Sequence, residues 1–182
     1  MPTKKIKHNL RRTCILKHNG IFKVVQKAPH SIPITQEELD KLVNIAPITT
    51  LLSDSISAIR KAFQAIVGVG RSKLESNKRV CGVYVFTNLI TGNQLVGSSM
   101  NLSVRLAHYF KPSTLATSSR FFFKHLTLYK YSDFKLDIYI VKNGYAVEDI
   151  PKLQSLILCL EQYYIFTVNS TLNTMKVAGV TQ

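Results

Sequence analysis

The spacing of apolar residues changes between the two halves of this 182-residue chain. The segment TQEE, beginning at Thr35, is a capping-box pattern followed by apolar residues at helical spacing, so it predicts a short helix. Residues 53–66 carry apolar positions three or four apart and predict a second helix, with Ser53 as its cap. Residues 68–79 are mostly polar and contain two glycines, which is typical of a linker.

Beyond this linker the pattern predicts strands as well as helices. Segments rich in β-branched and aromatic residues, or alternating between apolar and polar, predict strands at 82–88, 93–99 and 134–141. Apolar residues every three or four positions predict helices at 101–110, 118–131 and 150–168. The last helix is apolar almost all round, so we expect it to be buried. The pattern therefore predicts an α/β (α+β) fold.

One carboxylate stands out in that last helix. Glu161 is the single acid of residues 150–168. A buried carboxylate costs several kcal/mol unless it meets a cation, a metal ion or hydrogen-bond donors. Glu161 therefore either marks a functional site or faces solvent at the edge of the helix, and the pattern alone leaves both interpretations open.

The charge is strongly positive and unevenly spread. The chain has 24 Lys and Arg, 10 Asp and Glu, and a net charge of +14. Residues 1–36 contain no acid, and we expect this basic N-terminal arm to bind nucleic acid. Its candidate contact residues are Lys4, Lys5, Lys7, Arg11, Arg12 and Lys17. A solvated tail and a mitochondrial targeting peptide are the alternatives for the same charge pattern.

Other features of the composition exclude some classes of protein. No run of about eighteen uninterrupted apolar residues is present, so we expect no transmembrane helix and no membrane partner. Cys14, Cys81 and Cys159 lack the paired spacing of zinc sites and suit a reducing intracellular or organellar matrix compartment. No P-loop or dinucleotide fingerprint suggests a small-molecule substrate.

Six blocks in the second half resemble a known family. They are GVY at 82–84, LVG at 95–97, GSSMNLSVRLAHYF at 97–110, KYSDFKLDIYIV at 130–141, LEQYYI at 160–165 and LNTMKVAG at 172–179. In order and spacing they resemble the GIY-YIG nuclease superfamily, and most of all the intron-encoded homing endonucleases of fungal mitochondria. The resemblance implies a three-stranded antiparallel sheet flanked by helices, and a mitochondrial location. It divides the chain into a basic arm (1–36), a helical extension and linker (37–79), and a nuclease-like domain (80–182).

The resemblance also implies a chemistry, which is the hydrolysis of DNA phosphodiesters with one divalent metal ion, Mg²⁺. Tyr84 corresponds to a tyrosine that positions or deprotonates the attacking water, which requires a nearby cation because a phenol has a pKa near 10. Arg105 corresponds to an arginine that binds the scissile phosphate. Glu161 corresponds to the single metal-binding glutamate.

Three further residues are implied as supporting parts of the same site. Gly82 and Gly97 would let the backbone and a phosphate approach each other closely. Asn173 matches a polar residue beside the site.

One position departs from the family pattern. Leu95 stands where the second triplet begins with a tyrosine, and it offers no hydroxyl group. Losing such a group typically costs a factor of about 10² to 10⁴ in rate, so the enzyme is either weakened or inactive. His108 and Tyr109, which follow Arg105 on the same helix, are candidate local replacements.

Two functions therefore remain open. The first is a GIY-YIG endonuclease, active or weakened, that binds and cuts DNA. The alternative is a domesticated fold that no longer cleaves and acts as an RNA-binding component of the mitochondrial ribosome. The homing members carry DNA-recognition modules after the last block, and none is expected in the few residues that follow Asn173 here.

Overall fold

The computed structural model describes residues 15–18, 21–24, 32–71, 73–117 and 121–173. The strands in these ranges are β1 (Ile15–His18), β2 (Ile21–Val24), β3 (Ile34–Thr35), β4 (Ile48–Leu51), β5 (Val80–Asn88), β6 (Gln94–Ser99) and β7 (Phe134–Asn143). The α-helices are α1 (Gln36–Val43), α2 (Ile56–Val67), α3 (Leu102–Tyr109), α4 (Pro112–Thr117), α5 (Phe121–Leu128) and α6 (Ile150–Thr167). The predicted mixture of helices and antiparallel strands is confirmed.

The larger sheet has four strands rather than the expected three. Its order is β4-β7-β5-β6, and every neighbouring pair is antiparallel. The unexpected strand is β4, which pairs with β7 through partners such as Ile48 and Ile138. β4 is short, and most of its residues are exposed because it lies at the edge of the sheet. It therefore lacks the alternation of buried and exposed positions by which a strand is recognised in a sequence.

The two sheet faces are covered by different helices. One core cluster contains Tyr84, Phe86 and Leu95 and packs against α2, α3 and α5. The cluster on the other face contains Val83, Val85 and Val96 and packs against α1 and α6. Every residue of the central strand β5 is buried, because it has strands on both sides and helices on both faces. The expected burial of the last helix is confirmed, since half of the residues of α6 are buried.

The first two helices begin with side-chain caps. The Thr35 hydroxyl accepts a hydrogen bond from the Glu38 backbone at 3.2 Å, and Glu38 accepts one from the Thr35 backbone at 2.9 Å, which confirms the capping box. The predicted cap of α2 was wrong by two positions. Ser55, not Ser53, accepts the hydrogen bond from the backbone of Ala58, at 3.3 Å. The Ser53 hydroxyl instead accepts one from the Ser55 backbone.

Part of the basic arm has regular structure. β1 and β2 form an antiparallel hairpin, and β2 also pairs with β3. Lys17 lies in β1. The other candidate contact residues of the arm, Lys4, Lys5, Lys7, Arg11 and Arg12, lie outside the described residues. The expected nucleic-acid role of the arm therefore stays a prediction. None of the helices in the described ranges is both long and apolar enough to cross a bilayer.

The attachment of β4 can be tested at its contact with Asp137. The Thr49 hydroxyl donates a hydrogen bond to this buried carboxylate, which also forms an ion pair with Lys135 at 3.3 Å. Thr49→Val should lower the free energy of unfolding by about 1–3 kcal/mol, since the carboxylate loses a donor. Thr50→Val is the matched control, because the Thr50 hydroxyl bonds only the neighbouring carbonyl, at 3.4 Å. It should change stability by less than about 0.5 kcal/mol. Equal losses in urea unfolding would contradict this anchor.

Candidate functional site

Tyr84 lies at the centre of the candidate site. It comes from the middle of β5, and only 1% of its surface is exposed. Its hydroxyl lies 2.8 Å from the hydroxyl of Tyr109 on α3, and the two rings meet edge to face at 5.6 Å. Phe86 packs against both rings. The phenol is thus held by a hydrogen bond and by aromatic contacts on the face of the sheet that α2, α3 and α5 cover.

Burial strongly affects the chemistry of this phenol. Loss of water is the main cause that raises the pKa of Tyr84 well above the ordinary value of 10.0. The Tyr109 hydroxyl and the Glu161 carboxylate also raise this pKa, whereas the Arg105 guanidinium lowers it. Tyr84 therefore stays protonated at neutral pH and can donate or accept a hydrogen bond there, but it is a poor base.

Arg105 is an exposed residue of α3. It lies on the same short helix as Tyr109, so the helix that holds the Tyr84 hydroxyl also presents the guanidinium to solvent. Because the charge of Arg105 shifts the pKa of Tyr84, the two groups lie within electrostatic reach. An exposed, permanently charged guanidinium can bind a phosphate oxygen with two parallel hydrogen bonds.

Glu161 enters from the opposite face of the sheet. It lies on α6 with 3% of its surface exposed, so the interpretation that it faces solvent was wrong. Its carboxylate accepts a hydrogen bond of 2.6 Å from the hydroxyl of Ser98. Ser98 is on β6, directly after Gly97, whose partner across the strands is Tyr84. The carboxylate and the phenol therefore approach the same point of the sheet edge from its two faces.

The sequence analysis missed the role of Ser98. The only signal for it is its place directly after Gly97 in the block that carries the second triplet. A serine at this point is typical of a turn or a strand. Its importance depends on the packing of α6 against β6, which brings residues 63 positions apart into contact.

Gly97 and Gly82 are needed for close approach of protein atoms. A Cβ on Gly97 would overlap with the hydroxyl and the ring of Tyr84, and one on Gly82 would overlap with the backbone carbonyl of Tyr139. Gly82 lies where the pairing of β5 with β7 shifts register. The expected role of these glycines was to let a phosphate approach the backbone, but the space beside them is not open to a phosphate. A side chain and a neighbouring strand fill it instead.

Asn173 lies beside the site as expected, but it serves the backbone. Its side-chain oxygen accepts a hydrogen bond from the Val96 amide at 2.8 Å, and its side-chain nitrogen donates to the Val96 carbonyl at 2.9 Å. The buried amide of Asn173 thus pairs with the edge strand β6 as another strand would. Val96 directly precedes Gly97, so this contact fixes the backbone next to the candidate site.

Of the two proposed replacements for the missing tyrosine, the structure favours Tyr109. Leu95 has no exposed surface and packs in the same core cluster as Tyr84, so it contributes only apolar contacts. Tyr109 places a hydroxyl 2.8 Å from that of Tyr84. His108 is half-buried, and its ring meets Phe123 edge-on at 6.4 Å.

The carboxylate of Glu161 has the ligand chemistry that Mg²⁺ prefers, but its burial leaves little room for a hydrated ion. Among the described residues, no three His, Cys, Asp or Glu side chains come together as a metal-binding group. Mg²⁺ keeps several waters and commonly takes one or two carboxylates together with substrate phosphates. In donor type, Glu161 with the Ser98 hydroxyl beside it fits that use. A bound Mg²⁺ would supply neutralisation of phosphate charge there.

Comparisons with known proteins add no family assignment. No protein-family model, curated protein or solved structure matches the chain. The resemblance to the GIY-YIG superfamily therefore rests on the sequence blocks and stays a hypothesis.

The packing of Tyr84 over Gly97 predicts an energetic coupling. Gly97→Ala should lower the free energy of unfolding by about 1–3 kcal/mol, because the new methyl group overlaps with the fixed phenol. In a Tyr84→Leu background the same change should cost at least about 1 kcal/mol less, since the ring is gone. Urea unfolding of the four proteins measures this coupling. Additive losses would contradict the contact.

The raised pKa of Tyr84 predicts a change in stability at alkaline pH. The folded protein holds this proton more tightly than the unfolded chain, so the stabilisation is complete below the unfolded pKa, near 10.0. It is lost as pH rises towards the folded pKa. One such group lowers the free energy of unfolding by up to about 1.4 kcal/mol per pH unit. Tyr84→Phe should flatten this slope in urea unfolding at about pH 9, 10 and 11.

Tyr129→Phe is the control for that comparison, because Tyr129 is a half-buried surface tyrosine. It removes a phenol hydroxyl while keeping the buried pair of Tyr84 and Tyr109. A Tyr84→Phe protein with an unchanged slope would show that the phenol titrates alike in the folded and unfolded chains, against its observed burial.

Proposed function

We propose that the protein is a GIY-YIG-type endonuclease that hydrolyses DNA phosphodiesters with Mg²⁺. The observation that carries the proposal is that Tyr84 is bonded to Tyr109 on the helix of Arg105 and pairs across the strands with Gly97, next to the Ser98 that binds Glu161. The pKa of Tyr84 responds to both of the other charges. A cation for the phosphate, a carboxylate for the metal ion and a hydroxyl between them are the groups that phosphodiester hydrolysis requires.

The burial of the phenol limits its role. Because the pKa of Tyr84 is raised, the phenol would position groups by hydrogen bonding rather than remove a proton from water at neutral pH. Its hydroxyl is already paired with that of Tyr109, so the two phenols act as one unit. Arg105, which is exposed, would bind the phosphate directly. Glu161 would hold the metal ion.

A second function is favoured by a different observation. Tyr84 and Glu161 expose only 1% and 3% of their surfaces, and Leu95 is wholly buried. Such a closed centre suits a domesticated fold that binds RNA without cutting, as a component of the mitochondrial ribosome. The net charge of +14 fits either polyanionic partner. A mitochondrial location is part of both proposals, and it rests on the resemblance to fungal mitochondrial enzymes.

Nicking of supercoiled plasmid DNA tests the first function. Wild-type protein with Mg²⁺ should nick the plasmid, and Glu161→Gln should lower the rate by at least about 10²-fold, since the amide keeps the shape but loses the charge. Glu148→Gln is the matched control, because Glu148 is an exposed acid just before α6. Its rate should equal that of the wild type. Equal rates for Glu161→Gln and the wild type would exclude this site.

The same assay separates the two functions. A wild-type protein that binds nucleic acid but nicks nothing, with or without Mg²⁺, would refute the nuclease. Co-sedimentation with mitochondrial ribosomal subunits through high salt would then support the second function. Migration as free protein in that gradient would contradict it.

A further inference from the structure

A row of aromatic rings that the candidate site does not use runs along α5 and ends one residue beyond it. Phe121, His125 and Tyr129 follow one another at intervals of four residues, and we call this row the aromatic stripe. The rings of Phe121 and His125 lie 4.6 Å apart, and those of His125 and Tyr129 stack at 5.7 Å with an angle of 26°. Phe121 exposes 45% of its surface. The stripe thus ends in an accessible ring.

The neighbouring aromatic residues have the opposite environment. Phe122 and Phe123 are buried and pack against Tyr109 on α3. The run of three phenylalanines is therefore divided, with two rings in the core and one at the surface. Because α5 packs directly on the helix that carries Arg105, the stripe lies on an element that adjoins the candidate site.

The segment of the sequence that contains the stripe is basic. From residue 76 to residue 132 the sequence contains no Asp or Glu, and its basic residues are Lys78, Arg79, Arg105, Lys111, Arg120, Lys124 and Lys130. Lys124 and Lys130, which border the stripe, are exposed. The carboxylates of Asp133 and Asp54 approach this region but accept hydrogen bonds from the backbone amides of residues 130 and 132. A polyanion is the partner that matches this charge.

The geometry points to a binding surface for unpaired nucleobases. The protein binds single-stranded or locally opened nucleic acid at the aromatic stripe. This inference rests on the proposed nucleic-acid function and names its substrate class. Exposed rings beside lysines bind single strands because each base offers a flat face for stacking while the phosphates meet the cations. A paired duplex keeps its bases inside and can use only the cations.

Fluorescence anisotropy with three labelled probes tests the surface, using the full chain. The probes are a 20-nucleotide single-stranded DNA, the RNA of the same sequence and the corresponding DNA duplex. Phe121→Ala should weaken single-strand binding by about 5-fold to 150-fold, the usual effect of removing one stacking ring. Binding to the duplex should change by less than about twofold. The single-stranded probe, DNA or RNA, whose affinity falls more between the wild type and Phe121→Ala is identified as the natural partner.

Two matched variants separate stacking from general apolar contact. Leu128 lies on the same helix, exposes 76% of its surface and has no ring, so Leu128→Ala should change binding by less than about twofold. Phe121→Leu keeps apolar bulk without a ring and should still weaken single-strand binding. Equal losses for the single strand and the duplex, or no loss in Phe121→Ala, would overturn the inference. Unchanged thermal midpoints would show that both variants fold.

The binding and nicking assays can fail independently, so the single-strand surface and the nuclease activity are tested separately. Glu148→Gln, an exposed acid outside both the candidate site and the stripe, should bind the single strand as the wild type does. A protein that nicks nothing but loses single-strand binding in Phe121→Ala would keep the stripe and lose the nuclease. A protein that nicks DNA but binds the single strand equally with and without the Phe121 ring would support the nuclease and contradict the binding role of the stripe.

Discussion

The buried hydrogen bond between the Tyr84 and Tyr109 hydroxyls ties the central strand of the large sheet to the helix that carries Arg105. Tyr84 and Tyr109 expose only 1% and 8% of their surfaces, and an unpaired buried hydroxyl is costly. The bond therefore helps to hold α3 against the sheet. It also makes glycine necessary at position 97, because the phenol lies over the backbone of the next strand. The position of the guanidinium follows from these contacts.

The edge of β6 is where the two faces of the sheet meet. Gly97 lies under Tyr84 on one face, and Ser98 holds Glu161 on the other. The outward backbone groups of Val96 both bond Asn173, and those of Gln94 bond the backbone of Asn169 and Leu172. An open strand edge is a site for unwanted pairing, so this cover keeps the edge from recruiting another chain. It also keeps the site in one arrangement.

The sequence predicted elements with strong periodicity and missed features that depend on distant contacts. β5, β7 and α6 were predicted because burial on both faces or all round leaves a clear apolar pattern. β4 was not, since an edge strand leaves none. The resemblance named Tyr84, Arg105 and Glu161, and the charges of Arg105 and Glu161 each act on the pKa of Tyr84.

The partners of those residues were harder to predict. Ser98 meets Glu161, and Tyr109 meets Tyr84, only through packing between elements that are far apart in the chain. The crowding at Gly97 could not be predicted for the same reason, because nothing local indicates that a tyrosine on another strand occupies the space above it.

The four-stranded sheet has a consequence for how the molecule can be divided. β4 completes the sheet beside β7, and Phe63 of α2 stacks on Phe110 within the same core as Tyr84. The segment 48–67, which contains β4 and α2, is therefore a structural part of the same unit as the large sheet. A fragment that begins at residue 80 would leave the edge of β7 unpaired and a cavity in the core. Inactivity of such a fragment would reflect misfolding as much as missing chemistry.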